Sequence, residues 1–465
     1  MRLNHNALAY TANNNLNAIN RNLTKSMERL SSGYKVNKSS DDPAAKAISQ
    51  RMQAQLRGLD RAVNNSNDGI SLIQTAEGAL DEIHSILARM RELAVRAANE
   101  TYDEADRDAM QDEIKQLQEE IDRISDTTDF NGRKLLNGEL NKKGYTSDDG
   151  LSIMEIGGDI DPGVYSLTVD PSTSRQAQMT ITAPADGDVI TKDQEGYLII
   201  NDFFIKIEEG MTGVQVNELI RDSVSKIGMD YDSTVQPSTI TTQEYGRKQS
   251  ITIKASTEEL KDLFGVDGHT EYGENATVDF ALNNGERVGF KDTATAEAQG
   301  NRITVTDKNG FKMVYDVNPD AAPVNPVDIT VLSAGPMVLQ IGNNEGQTLN
   351  VNINKTTAES LEIDRINIYT SGYATDAIGK IDDAVTKISG IRSSLGAYQN
   401  RLEHTVNNLE TADENLTYAV SRIQDTDMAE EITEYTQQNV LSQSALQMLI
   451  KSNARPEGLL QLFQR

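Results

Sequence analysis

Cysteine is absent from this 465-residue chain, and so is tryptophan. Without cysteine there is no disulfide, no thiolate metal site and no cysteine nucleophile. Aromatic residues make up only 5%, and there are four histidines, His5, His84, His269 and His404. Small-molecule pockets draw on aromatic surface, and acid–base chemistry near neutral pH draws on histidine, so both scarcities weigh against an enzyme. No run reaches the roughly 18 apolar residues of a membrane-spanning helix, so no such span is expected. The stretch Met1 to Asn15 lacks the apolar segment of a secretory signal, and no Sec-type signal peptide is expected either. A net charge of −27 excludes nucleic acid and anionic membranes as natural partners. At 37% hydrophobic, the chain is lean for a compact globule and better suited to thin, rod-like elements.

What is present is strongly ordered along the chain. The first forty residues hold six basic and one acidic side chain, and the last forty hold three basic and five acidic. Residues 141–336 hold 16 Lys and Arg against 32 Asp and Glu, a self-repelling acidic block. Apolar residues recur every three or four positions at both ends, the spacing of an amphipathic helix. Leu16, Ile19, Leu23, Met27 and Leu30 mark a first helix that stops at Ser31-Ser32-Gly33. Asp41-Asp42-Pro43 reads as the start of the next, with a carboxylate at the cap and proline in the first turn. From there Leu56, Leu59, Val63, Ile70, Ile73, Ala76, Leu80, Ile83, Leu87, Met90, Ala94 and Ala97 keep the spacing. One helix over 43–98 would be roughly 84 Å long. After a break near Asn99 to Tyr102, Met110, Ile114, Leu117, Ile121 and Ile124 predict a shorter helix.

The C-terminal part mirrors this, with a stripe from Ile378 to Ile423. A last amphipathic segment after Asp425-Thr426-Asp427 carries Ile432, Tyr435, Leu441, Met448 and Leu449, and Pro456-Glu457-Gly458 is expected to end it. The middle, 141–336, changes to short alternating runs such as Tyr165–Val169, Met179–Thr182, Ile251–Lys254 and Ile303–Thr306. Two short helices are expected around Gln215–Ile227 and Thr257–Leu263. The fold class is therefore mainly α. The N- and C-terminal regions form a long antiparallel helical bundle, or coiled coil, around a β-rich (α+β) insert of two lobes divided near 231–237. A narrow apolar stripe cannot be buried by one helix, so the two ends must pair. The outermost segments are rich in Asn, Gln and Ser and are expected to order only against neighbouring copies.

The short motifs at both ends resemble bacterial flagellin. They run through Asn4-His5-Asn6, Leu30-Ser31-Ser32-Gly33, Asp41-Asp42, Asn67-Asp68-Gly69, Arg91-Glu92-Leu93-Ala94 and Phe130-Asn131-Gly132. They resume at Leu395-Gly396-Ala397, Gln399-Asn400-Arg401-Leu402, Glu414-Asn415-Leu416, Ser421-Arg422-Ile423 and Asp425-Thr426-Asp427. The chain departs from the pattern by placing some 200 residues before Leu339-Gln340-Ile341-Gly342, and by the charged tail Asn453-Ala454-Arg455-Pro456-Glu457. The resemblance implies a layered filament subunit with five stretches. These are an inner-core helix over 1–40, rod helices over 41–140 and a variable outer insert over 141–336. A β-hairpin and rod helix over 337–425 and a second inner-core helix over 426–465 complete it. Leu16, Ile19, Leu23, Met27, Leu30, Ile432, Tyr435, Leu441, Met448 and Leu449 would pack the inner core.

The resemblance further implies a homopolymer that drives swimming motility, secreted by the flagellar type III route to an extracellular filament. Its partners would be an export chaperone, the cap and hook-associated proteins. Arg89, Leu93 and Glu113 match positions recognised by an animal Toll-like receptor. Arg89 and Leu93 lie four apart, on a helix face expected to be off the apolar stripe and to serve first in inter-subunit packing. A hook–filament junction protein with the same helices is the alternative function. No cofactor and no metal site are expected: the histidines are scattered, without an HExxH zinc signature. Asp41/Asp42 and Asp425/Asp427 read as caps and turns rather than cation ligands, and Gly157-Gly158 and Gly285 as turns. The sequons at Asn275 and Asn354 require no glycan.

Overall fold

The computed structural model describes residues 6–463, except 158–159, 235–236, 284–285, 309–310, 322–325 and 333–334. His5, Gly158 and Gly285 therefore lie outside the described residues. Seven α-helices appear among the described residues: α1 (Ala7–Ser32), α2 (Pro43–Ala97), α3 (Glu104–Thr127), α4 (Gly213–Lys226), α5 (Glu258–Phe264), α6 (Ser371–Gln424) and α7 (Met428–Phe463). Their ends follow from local chemistry. Gly33 closes α1 in the left-handed region, at φ 75°, and its N–H donates to the Arg29 carbonyl at 2.8 Å. The Asp42 carboxylate accepts the backbone N–H of Ala44 and Ala45, which opens α2. Asp427 does the same for Ala429 and Glu430 at the start of α7. Both acidic pairs thus serve as caps and turns, with Asp41 accepting from the Lys38 N–H.

The chain divides into two compact units, one of residues 1–68, 340–348 and 402–465, the other of 69–339 and 349–401. In the first unit, α1 and α7 run antiparallel. Beside them the Lys35 N–H donates to the Gln424 carbonyl at 2.7 Å, and the Thr426 N–H to the Gly33 carbonyl at 3.0 Å. Gln53 of α2 reaches the Gln424 amide at 2.8 Å. The loop around 340–348 rests on α2: Asn65 donates to the Gln340 carbonyl. A Cβ on Gly58 would stand 3.0 Å from that of Asn343, so glycine permits the approach.

In the second unit the apolar stripe of α2 is buried from Leu72 to Ala97, together with Ile114 and Ile121 of α3 and Ile381, Ile388 and Leu395 of α6. Helix α6 runs antiparallel to α2, since Arg91 pairs with Asp382 while Arg392 pairs with Asp81. An irregular strap over 352–370 lies on α3. Outside the turn at 357–363, where backbone groups bond each other, its backbone groups need other partners. Gln111 supplies two, donating to the Ile366 carbonyl at 2.8 Å and accepting from the Ile368 N–H at 3.0 Å. Gln118 donates to the Ile363 carbonyl, and Asp122 accepts from the Ala358 N–H.

The insert holds two hydrophobic cores. The first gathers residues between Ala177 and Val266 under α4 and α5, on the strands Gln176–Ile181, Ser238–Tyr245 and Met229–Asp232 and the sheet Gly196–Ile200, Phe203–Ile207, Ser250–Ala255 and Thr270–Tyr272. The second gathers residues of 151–169 and 280–331. The division expected near 231–237 falls instead inside the first core, where Asp232 pairs with Thr239 in a hairpin. The lobes are nested rather than sequential, because Gly163–Asp170 pairs across the chain with Val327–Val331. The first lobe is fastened to the helices beside it. Lys226 pairs with Glu104 at 2.8 Å, Asn201 donates to the Tyr373 hydroxyl at 2.9 Å, and Tyr369 and Tyr373 pack on the lobe's core.

A second correction concerns α7, which continues through Pro456 to Phe463. A proline inside a helix leaves the carbonyl four residues earlier without its N–H donor. That carbonyl belongs to Ser452, and the Asn6 side chain donates to it at 2.9 Å. The bond lost within α7 is replaced from α1.

Candidate functional site: an assembly surface

The α1–α7 pair leaves much of its apolar surface uncovered. Its contact line is mixed, with half-buried apolar side chains and a few polar contacts. Asn6 donates to the Ser452 carbonyl, the Ser442 hydroxyl donates to Asn20 Oδ1 at 3.1 Å, and Arg29 meets Glu431 at 3.5 Å. Ser26 and Glu431 are the buried residues here, at 4% and 7% exposure. Several large apolar side chains lie on the outside. Met27 is 54% exposed, Ile432 52%, Leu441 42% and Met448 66%, and Leu8, Tyr10, Val440, Leu446 and Ile450 are exposed with them. Leu16, Ile19, Leu23, Leu30, Tyr435 and Leu449 are half-buried. A surface this apolar on a chain this acidic suits another protein surface better than a small molecule.

Arg89, Leu93 and Glu113 come together in the second unit, but not as expected. Arg89 Nε donates to Glu113 Oε1 at 2.8 Å and Nη1 to Glu92 Oε2 at 2.7 Å. The Glu113 and Glu92 carboxylates raise the Arg89 pKa further above its ordinary value, and Arg89 in turn holds the Glu92 carboxyl below its own. Leu93 is 1% exposed and belongs to the buried stripe. The expectation that it stands off that stripe is corrected: α3 and α6 cover α2 over a wider arc than a single seam, and positions 90, 93 and 97 all fall within it.

Among the described residues, no group of three or more His, Asp or Glu could hold a metal ion. His269 sits between Asp267 and Glu271 on an exposed loop, and Asp267 raises its pKa. An open cleft of about 640 Å³ in the first unit is lined by Arg57, Asp60, Arg61, Glu410, Asp413 and Glu414. Charge on both walls makes it a poor seat for an apolar ligand. Burial and the neighbouring Asp60 push the Asp413 carboxyl upward. No helix among the described residues is long and apolar enough to cross a membrane.

The apolar periodicity found both the half-buried residues of α1 and α7 and the exposed Met27, Ile432, Leu441 and Met448, but not the difference between them, which depends on how the two helices face each other.

Comparison with known proteins agrees with this geometry. Residues 3–141 match the bacterial flagellin N-terminal helical region, and residues 378–463 match the bacterial flagellin C-terminal helical region. The chain is 35% identical to a flagellin of Clostridium tyrobutyricum over 98% of its own length and 100% of the relative's. It is 31% identical to flagellin A of Vibrio anguillarum over 99% of both chains, and 30% identical to a flagellin of Salmonella muenchen over 99% of both. Helical ends that match both family regions, a β-rich insert between them and alignment over nearly the whole length place this chain in the bacterial flagellin family, as a structural subunit of the flagellar filament.

Proposed function

We propose that the subunit polymerises through the outward apolar faces of α1 and α7, which neighbouring copies bury to form the inner core of the filament. The observation that carries this reading is the apolar surface that the pair leaves uncovered: Met27, Ile432, Leu441 and Met448 stay exposed even though α1 and α7 lie against each other. Burying one such Leu, Ile or Met side chain contributes about 1.5–3 kcal/mol, so a handful per subunit is enough to drive association. The half-buried Leu16, Ile19, Leu23, Leu30, Tyr435 and Leu449 would complete their burial in the same step. In this reading 1–40 and 426–465 form the inner layer, 41–140 and 337–425 the rod, and 141–336 the outer layer.

The remaining partners follow from the same role. The chain is exported to the cell exterior by the flagellar type III route, escorted by a chaperone, and added beneath a cap beyond the hook-associated proteins. It carries out no catalysis. Recognition of the free monomer by a Toll-like receptor would rest on the half-buried Arg89–Glu113 pair, with Leu93 buried in the core rather than a contact. Electron microscopy after salt-induced polymerisation of the purified chain tests the main reading. Long tubular filaments are expected. A monomer that caps existing ends without growing would point to the hook–filament junction role instead.

A further inference from the structure

We propose that Arg302 and Glu362 form a charge clasp that holds the second lobe of the insert against the strap and α6, and that opening it lets this lobe part from the helices while the first lobe stays seated. The clasp belongs to the second unit alone and stands apart from how subunits assemble.

The two lobes meet the helices by different chemistry. The core of the first lobe takes in Tyr369 of the strap and Tyr373 of α6. The core of the second, among the described residues, takes in no side chain from outside 151–331. What the second lobe offers the strap is the other face of its sheet, on the strands Arg302–Thr306, Lys312–Val317 and Leu151–Ile156. Ile303 and Val305 point into the lobe, so alternation puts Arg302, Thr304 and Thr306 on that other face. Arg302 stands opposite Asp316 in the ladder, and Thr306 opposite Lys312. Glu155 accepts from the Asn354 side chain of the strap at 2.9 Å and meets Lys312 at 3.4 Å. Val314 is buried on the same face. The seat is therefore mostly charge.

Its contacts converge on Glu362. One oxygen, Oε1, takes Lys387 Nζ of α6 at 2.8 Å and faces Arg302 Nη1 of the lobe at 3.5 Å. A single carboxylate on the strap thus joins three parts of the unit. Burial alone would raise the Glu362 carboxyl, but Lys387, Arg302 and Lys312 together hold it below its ordinary value. The backbone points the same way. Glu362 sits at φ 62°, in the left-handed region that glycine, asparagine and aspartate usually occupy. A glutamate is strained there, and such strain persists where the surroundings fix the residue in place.

Arg302 answers to more than one acid. Burial raises the Asp316 and Asp364 carboxyls, and the Arg302 charge works against that rise at both. Without its guanidinium the seat would hold half-buried carboxylates short of a cation, and separation into water would become the lower-energy state. Arg302 and Glu362 are both only half-buried, so dissolved ions also reach them.

The chain has no cysteine, so introduced cysteines carry spin labels at chosen sites alone. Ser389→Cys on α6 with Asp279→Cys reports on the second lobe, and Ser389→Cys with Ser225→Cys reports on the first. All three sites are exposed. Distance distributions are measured by double electron–electron resonance on the full-length chain. The second-lobe distribution should broaden about twofold or more in Arg302→Gln and in Glu362→Gly, while the first-lobe distribution stays as it was. Glu362→Gly is the sharper variant, because glycine relieves the backbone while removing the carboxylate. Raising the salt from about 0.1 M to about 1 M shortens the screening length from about 10 Å to about 3 Å and should broaden the second-lobe distribution in the same way. An unchanged second-lobe distribution in either variant, indifference to salt, or both lobes moving together would overturn the clasp. Should Arg302→Gln fail to fold, Glu362→Gly decides with the salt series, which needs no substitution in the seat.

Discussion

Leu93 and Arg89 sit four residues apart on one helix and should respond to mutation in opposite ways. Leu93 is sealed in the core of the second unit, so Leu93→Ala opens a cavity and should cost about 2–5 kcal/mol. Arg89 is solvated, and its bonds to Glu113 and Glu92 compete with water. Arg89→Ala should therefore leave the unfolding midpoint where it was. Urea unfolding followed by circular dichroism distinguishes them: a large shift for Leu93→Ala and none for Arg89→Ala is expected, and equal shifts would contradict the burial. Gln111 is a third case, because one amide satisfies two backbone groups of the strap. Gln111→Ala should orphan both, at about 1–3 kcal/mol each, and speed hydrogen exchange at the Ile368 amide. Unchanged exchange there would show that the strap is held by something else.

At the scale of elements, the proposed reading gives the exposed apolar surface of the terminal helices to other copies of the chain. Removing 428–465 should leave a folded, soluble monomer that does not polymerise, measured by light scattering after salt addition. Full polymerisation of that truncate would contradict that reading. Much of this was legible in the sequence. Helices α2 and α6 declared themselves through three–four spacing with few gaps, such as the one at Ser66, and Gly33, Pro43 and Asp427 marked the end of α1 and the starts of α2 and α7 through backbone chemistry that needs no tertiary context. The remainder depended on contacts distant in sequence. Leu93 looked peripheral because periodicity describes one seam, whereas α2 is covered by more than one neighbour. Pro456 looked like a terminus because the local rule counts the lost hydrogen bond, and the replacement comes from Asn6 some 450 residues away. The lobes of the insert were misdivided because the pairing of Gly163–Asp170 with Val327–Val331 leaves no local trace.

For the molecule as a whole, the insert is an appendage with a foothold. Lys226, Asn201 and Glu244 bond to Glu104, Tyr373 and Lys380, and the first lobe covers Tyr369 and Tyr373. Deleting 141–336 and joining the ends should preserve filament formation while lowering the thermal stability of the monomer, because those tyrosines lose their cover. Loss of assembly in that variant would show that the insert does more than occupy the outer layer. The central claim is that the apolar faces of α1 and α7 are completed by other copies of the chain. A helical reconstruction of the polymer by electron cryomicroscopy tests it most directly. The account predicts Met27, Ile432, Leu441 and Met448 buried against neighbouring subunits in the innermost layer, whereas a polymer that leaves them facing solvent would contradict it.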